Sequence, residues 1–256
     1  MVERQRGFTF AVGRSAAERI PFPVNDQEIQ QVLQAIEEKD LSTAAHTWRV
    51  VLYTRTLAEA AGLDHAMVER VSRAAALHDI GKLAVSDAIL QKPGKLTDEE
   101  FEQIKQHAAA GHEMLLAMGE TDEVVLDFVR HHHEKLDGSG YPDHLVGEGI
   151  PMGSRFFAVV DTFDALTSIR PYRMDVGPEA AERALTELRK HTNSWYWAPA
   201  VELFEKLYRD GQLTWIASYF NDSCPLPVVP VTRGEGPHVP HLASPVKLKP
   251  APPGSA

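Results

Sequence analysis

Cysteine is nearly missing from this chain of 256 residues, where Cys224 stands alone. That excludes an intrachain disulfide and a thiolate metal cluster. Long apolar runs are missing too. No stretch reaches the length of a membrane-spanning helix, and the N-terminal residues lack the apolar segment of a secretory signal. Positive charge is scarce, with 26 Lys and Arg against 36 Asp and Glu and a net charge of −10. A field of that sign disfavours general affinity for nucleic acid or for an anionic membrane surface. An anionic substrate would need local cations to overcome it. Strand signals are few, and no internal repeat is present. The expectation is a cytoplasmic globular protein, built around one substantial core with extensions.

Helical stripes fill the middle of the chain. Ile29, Val32, Leu33 and Ile36 share one face, after an Asn25–Glu28 pair that resembles a capping box. His46, Val50, Tyr53 and Leu57 follow the next stripe, which Gly62 ends. A third helix is predicted from about Asp64 to His78, closed by Gly81. Thr97 and Glu100 form a second capping box ahead of Phe101, Ile104, His107 and Ala108. Gly111 and Gly119 are expected to bracket a separate helix, and Thr121 to cap the one ending at His132. Further helices are predicted from about Ser154 to Ser168 and near 178–190 and 198–209. The fold class is all-α, a helical bundle. Residues 1–24 read as an irregular N-terminal segment, 25–210 as the main domain and 211–256 as a C-terminal extension. Nine of the 17 prolines lie from Pro225 onward, so the tail is predicted to be disordered from there.

Polar residues recur where helices should face inward. Histidine is abundant, at 12 residues. His46, His78, Asp79, His107, His132, His133 and Asp161 sit on apolar faces or at helix ends. One such histidine is usually a hydrogen-bonded core residue. Five histidines and two aspartates together would leave many polar groups to satisfy. A bound metal resolves this, because imidazole and carboxylate are metal ligands. Asp79 has two oxygens and can bridge two ions, with His78 on one of them. The set exceeds the need of one catalytic metal and suits two ions about 3.5–4 Å apart. Nitrogen and oxygen donors without thiolate favour iron, manganese or zinc. Water between such ions becomes a nucleophile near neutral pH, and a phosphate ester is the anionic substrate it suits. The stretch from His132 to Pro142 adds a shaped loop. Gly138 and Gly140 permit positive φ, and Pro142 restricts Tyr141 before it.

These residues resemble a known family. His78-Asp79-Ile80-Gly81-Lys82, His107 with Gly111, His132-His133-Glu134 with Asp137-Gly138 and Gly140-Tyr141-Pro142, Asp161 with Asp164-Ala165, and Arg170-Pro171-Tyr172-Arg173 are similar to the HD-GYP branch of the HD-domain phosphohydrolases. The likeness runs from about Thr43 to Leu207. It implies an all-α HD core whose two divalent metals, iron or manganese with zinc also compatible, hydrolyse cyclic di-GMP to pGpG and, in many members, on to GMP. By position, His46, His78, Asp79 and Asp161 would hold one ion, and Asp79 would bridge to a second held by His107, His132 and His133. Lys82 would contact the scissile phosphate and act with Asp79 in catalysis. Arg170 and Arg173 would grip phosphates, Tyr141 would lie near a guanine, and Asp164 would orient a ligand or contact guanine, with hydrogen bonding inside its own helix the equal alternative. Glu134 and Asp137 would brace the loop.

There are departures from the pattern. Ser42 stands where some members carry a glutamate that completes a third metal site, so two metals are expected. Trp197-Ala198-Pro199 stands where members often show Phe-Asp-Pro, which bears on C-terminal packing. His131 is read as a neighbour of the ligands. Two other functions fit the same residues: a cyclic di-GMP sensor or a module docking on GGDEF-domain proteins through the loop, and a hydrolase of a related dinucleotide such as cyclic GMP–AMP.

Overall fold

The computed structural model describes residues 26–39, 43–168 and 178–219. Among them are ten α-helices, two 3-10 turns and no strand. The helices are α1 (Asp26–Lys39), α2 (Thr43–Ala60), α3 (His65–Leu77), α4 (Asp87–Leu90), α5 (Asp98–Ala117), α6 (Glu123–His131), α7 (Met152–Thr167), α8 (Pro178–Lys190), α9 (Ala198–Arg209) and α10 (Thr214–Tyr219). No helix among the described residues is long and apolar enough to cross a membrane. The all-α expectation holds, and α8 and α9 lie where their stripes placed them.

Capping chemistry sets the helix starts. Asp64 caps α3 by accepting from the Met67 amide at 2.8 Å. Thr97 and Glu100 close the expected reciprocal box on α5, with contacts of 3.3 and 2.7 Å. The start of α6 differs from expectation. Asp122, not Thr121, is its cap, accepting from the Val124 amide at 2.9 Å. Glu120 takes the amides of Thr121 and Asp122. A buried carboxylate bonded to Arg73 thus does part of what the Thr121 hydroxyl was expected to do.

Two glycines also act differently from expectation. The helix predicted to break at Gly111 runs on without interruption as α5. Helix α3 ends at Leu77, before Gly81, which lies inside the 3-10 turn Ile80–Ala84. A Cβ on Gly81 would fall 1.8 Å from the His107 carbonyl oxygen, and one on Gly111 only 3.2 Å from the Gly81 nitrogen. Both residues lack side chains so that two backbones can touch, which brings Asp79 beside His107.

The core is aromatic at its centre. The Tyr53, Phe163 and Phe204 rings meet at 4.9–5.9 Å between centroids, joining α2, α7 and α9. Phe128 and Phe157 continue this core between α6 and α7, 5.0 Å apart. Trp197, at the departure from Phe-Asp-Pro, packs on Phe156 at 5.6 Å beneath the Arg155 guanidinium. Leu213 and Ile216 are buried in the same core, so the packed body continues past the expected boundary at 210. A six-residue helix offers too few turns for its stripe to be recognised. The N-terminal segment and the tail from Pro225 lie outside the described residues.

Candidate metal centre

Five helices deliver their ends or inner faces to one point. His46 projects from α2 and His78 follows the last residue of α3. Asp79 precedes the 3-10 turn, His107 lies within α5, His132 and His133 follow α6, and Asp161 lies on α7. His46, His78, Asp79, His107 and His132 are all buried, while His133 and Asp161 are half-buried.

Backbone contacts orient the rings. The Nδ1 of His78, His107 and His132 lies 2.8, 2.7 and 2.7 Å from the carbonyls of Ala75, Ile104 and Val129. Each partner is the carbonyl three residues back, reached because the histidine sits on a last or inner turn. A carbonyl can only accept, so Nδ1 is the donor in each, and Nε2 is the lone pair that each ring presents in its neutral form. Those lone pairs converge. His107 and His132 Nε2 are 3.1 Å apart, and His46 and His78 Nε2 are 3.4 Å apart. In the neutral rings, nitrogens at such range repel unless a cation lies between them.

The donors form two groups, His46–His78–Asp79 and His107–His132–His133, each with ligand atoms within 4.8 Å of one another. Asp79 links them. Its Oδ2 is 3.1 Å from His78 Nε2, and its Oδ1 is 3.5 Å from His107 Nε2. Asp161 Oδ1 adds a further oxygen 3.7 Å from His46 Nε2. The structure thus brings together all seven residues read as ligands, and their chemistry fits divalent cations.

The electrostatics agree. Burial, and then the neighbouring His133, hold the His132 imidazole well below its ordinary pKa. Burial and then His107 do the same to His133. Both rings are therefore neutral, as metal ligands must be. Burial works against ionisation of Asp79, yet His78 and then Lys82 outweigh it and hold the carboxyl well below the usual range. Lys82 Nζ lies 2.8 Å from Asp79 Oδ2.

Of the roles expected of Asp164, contact with the substrate is the one the geometry corrects, because the residue is fully buried and its carboxylate is already engaged. Oδ2 is 2.8 Å from His46 Nδ1, and Oδ1 accepts from Arg49 Nε at 2.5 Å. Arg49 Nη2 and the Ser168 hydroxyl supply further donors. Burial opposes ionisation, but the His46 hydrogen bond and Arg49 overcome it and keep Asp164 charged. Asp164 therefore orients His46. Arg49 was missed by the sequence reading, although it stands three residues after His46 on the same helical face.

The loop after His133 is held from two sides. Glu134 is buried and accepts the amides of Asp143 at 2.7 Å and Leu145 at 3.1 Å, the bracing expected of it. Asp137 accepts from the Ser139 amide at 2.9 Å, a local turn. The loop segment between α8 and α9 adds an anchor that the sequence did not reveal. Ser194 and Trp195 carbonyls accept from the amides of Asp137 and Leu136, and Lys135 Nζ lies 3.5 Å from the centre of the Trp195 ring. Gly138 has φ +78°, as expected, whereas Gly140 is needed because a Cβ would fall 2.4 Å from the Lys135 nitrogen. Tyr141 packs its ring 4.8 Å from His133, and its peptide bond to Pro142 is cis. His131 contacts Asp143 at 2.9 Å and lies outside both donor groups. Ser42, Arg170 and Arg173 lie outside the described residues.

Comparison with known proteins agrees with this geometry. The HD domain family profile matches residues 29–200, and the chain belongs to the HD domain family. The cyclic di-GMP phosphodiesterase response regulator RpfG of Xanthomonas campestris pv. campestris is 43% identical over 148 residues, which is 57% of this chain and 39% of that protein. A cyclic di-GMP phosphodiesterase of Thermotoga maritima is 38% identical over 185 residues, covering 72% of this chain and 50% of that protein. The chain therefore spans half or less of each relative's length. A crystal structure of a cyclic GMP-AMP specific phosphodiesterase of V. cholerae superposes with a TM-score of 0.56 at 16% identity, over 73% of this chain and 49% of that one, a likeness of fold.

Proposed function

We propose that this chain is a metal-dependent phosphodiesterase that hydrolyses cyclic di-GMP to pGpG, GMP or both, with two divalent ions, iron or manganese, at the centre. One observation carries this reading: Asp79 stands between the two donor groups, with one carboxylate oxygen 3.1 Å from His78 Nε2 and the other 3.5 Å from His107 Nε2. The relatives named as cyclic di-GMP phosphodiesterases support the choice of substrate. His46, His78, Asp79 and Asp161 would hold one ion, and Asp79, His107, His132 and His133 the other. Bound there, the ions supply Lewis acidity to the phosphodiester and activate the attacking water.

The chain's own groups do the rest. Lys82 steadies Asp79 and offers an ammonium to the scissile phosphate, where it offsets developing charge and can pass a proton to the leaving 3′-oxygen. Asp164 and Arg49 fix the His46 ring so that its Nε2 faces inward. Tyr141, set against His133, lines the side by which a base would enter. Arg170 and Arg173 are assigned to the substrate's phosphates, for which planar guanidinium groups are suited.

The test is metal analysis with product identification on anaerobically purified protein. Two ions per chain and release of pGpG, GMP or both are expected, and three ions would overturn the two-metal assignment. Asp79→Ala should lose metal and turnover together, and retained hydrolysis by that variant would sink the mechanism. Stoichiometric binding of cyclic di-GMP without product would point to a sensor. Faster turnover of cyclic GMP–AMP would move the substrate to the mixed dinucleotide.

A further inference from the structure

A row of side chains leads outward from the candidate centre along α5. It begins at His133, whose ring lies 4.8 Å from that of Tyr141 with 34° between their planes. Lys105 follows, with Nζ 5.7 Å from the Tyr141 ring centre and 5.1 Å from that of Phe101. The row ends at Phe101, which keeps 46% of its surface open to solvent. Phe101 and Lys105 are four residues apart, hence on one face of the helix that also carries His107.

A single exposed phenylalanine needs no explanation. Here it is joined to a cation held between two aromatic rings, and one of those rings packs on a donor of the candidate centre. The pairing of ammonium with ring faces fixes where the positive charge sits. Glu102 pairs with Lys105 at 2.5 Å, but its side chain is 63% exposed and solvent screens it. In a chain of net charge −10, a cation held in place beside the centre stands out. A cyclic dinucleotide matches such a row, because it carries a flat purine and a phosphate on each half. Only one phosphodiester can lie over the ligands at a time, so the other half needs a place outside them.

We propose that Phe101 and Lys105 form an outer subsite for the nucleotide half that is not being cleaved, its purine against Phe101 and its phosphate against Lys105. The subsite rests on the substrate class given under Proposed function. It gives that class a selectivity the metal ligands cannot supply, since they meet only the phosphodiester. Sequence-tolerant stacking on an aromatic face and a charge contact would favour purine dinucleotides over small phosphodiesters.

The test compares two substrates on the full chain loaded with Mn²⁺: cyclic di-GMP, and bis(p-nitrophenyl) phosphate, which has no base and no second phosphate. The readout is the ratio of kcat/KM on the first to kcat/KM on the second, in Phe101→Ala and Lys105→Gln. Both positions lie on the outer part of α5, and alanine and glutamine are good helix formers. The ratio also cancels any loss of folded protein. It should fall by roughly 10-fold or more in Phe101→Ala, the size of one lost base–aromatic stack, and by about 3- to 10-fold in Lys105→Gln. Ratios within about twofold of the parent in both variants would overturn the subsite. An equal loss on both substrates would overturn it too, since that marks damage to the centre itself. A parent protein that cleaves the base-free diester and leaves cyclic di-GMP intact would refute the substrate reading, and the subsite with it.

Discussion

At His46 the direction of one lone pair is decided by residues that touch no substrate. Asp164 takes the Nδ1 side of the ring, Arg49 and Ser168 hold Asp164, and Nε2 is left facing His78. The Asp164 charge is buried, so it persists only because its partners are close and well aimed. Replacing Asp164 by asparagine removes the counter-charge of buried Arg49, so it should lower stability and also weaken metal binding at the His46 side by about 10- to 100-fold, as measured by metal titration of the folded protein. The His107–His132–His133 side takes its Nδ1 partners mainly from backbone carbonyls and should change less. Equal loss on both sides would argue against an orienting role for Asp164.

The centre also depends on how closely two elements approach. Helix α5 lies against the turn Ile80–Ala84 with no side chain between them at Gly81 and Gly111. A methyl group at Gly81 has no room, because the obstacle is the His107 backbone and not a movable side chain. Gly81→Ala should therefore force α5 and the turn apart. We expect a loss of roughly 3 kcal/mol or more in denaturant unfolding, together with reduced metal occupancy, since Asp79 and His107 would separate. Gly119, with φ +87° and open space around its Cβ, should tolerate replacement by asparagine at far smaller cost.

For the whole molecule, the candidate ligands would couple stability to metal. They come from α2, α5, α7 and the ends of α3 and α6, so ions at the centre tie together helices far apart in the chain. A metal held by this arrangement would have no such site in the unfolded chain. An ion present at 1,000 times its dissociation constant adds about 4 kcal/mol. For a domain of this size that corresponds to roughly 8–16 °C in Tm, so chelation of the loaded protein should lower Tm by that order in a thermal scan. No change on chelation would contradict a metal site assembled from these helices.

Much of this was present in the order of residues. The helices could be read because apolar residues recur with the helical period, and a histidine on such a stripe must point where the stripe points. That is why His46, His78, His107 and His132 could be singled out before any contact was known. The capping box at Thr97 was legible for a similar reason, since its parts are three residues apart and local. The roles of Gly81 and Gly111 were not legible. A glycine kept bare for a neighbouring backbone has the same letter as one that ends a helix, and the neighbour comes from elsewhere in the chain. The partnership of Asp164 with Arg49, 115 residues away, was hidden likewise. So was the hold of Trp195 on the loop after His133. The sequence by itself determined which side chains face inward, because periodicity is a local property. Which of them meet, and which carboxylate stands among the donors and which lies behind a histidine, depended on the tertiary structure, because those follow from where packed helices cross.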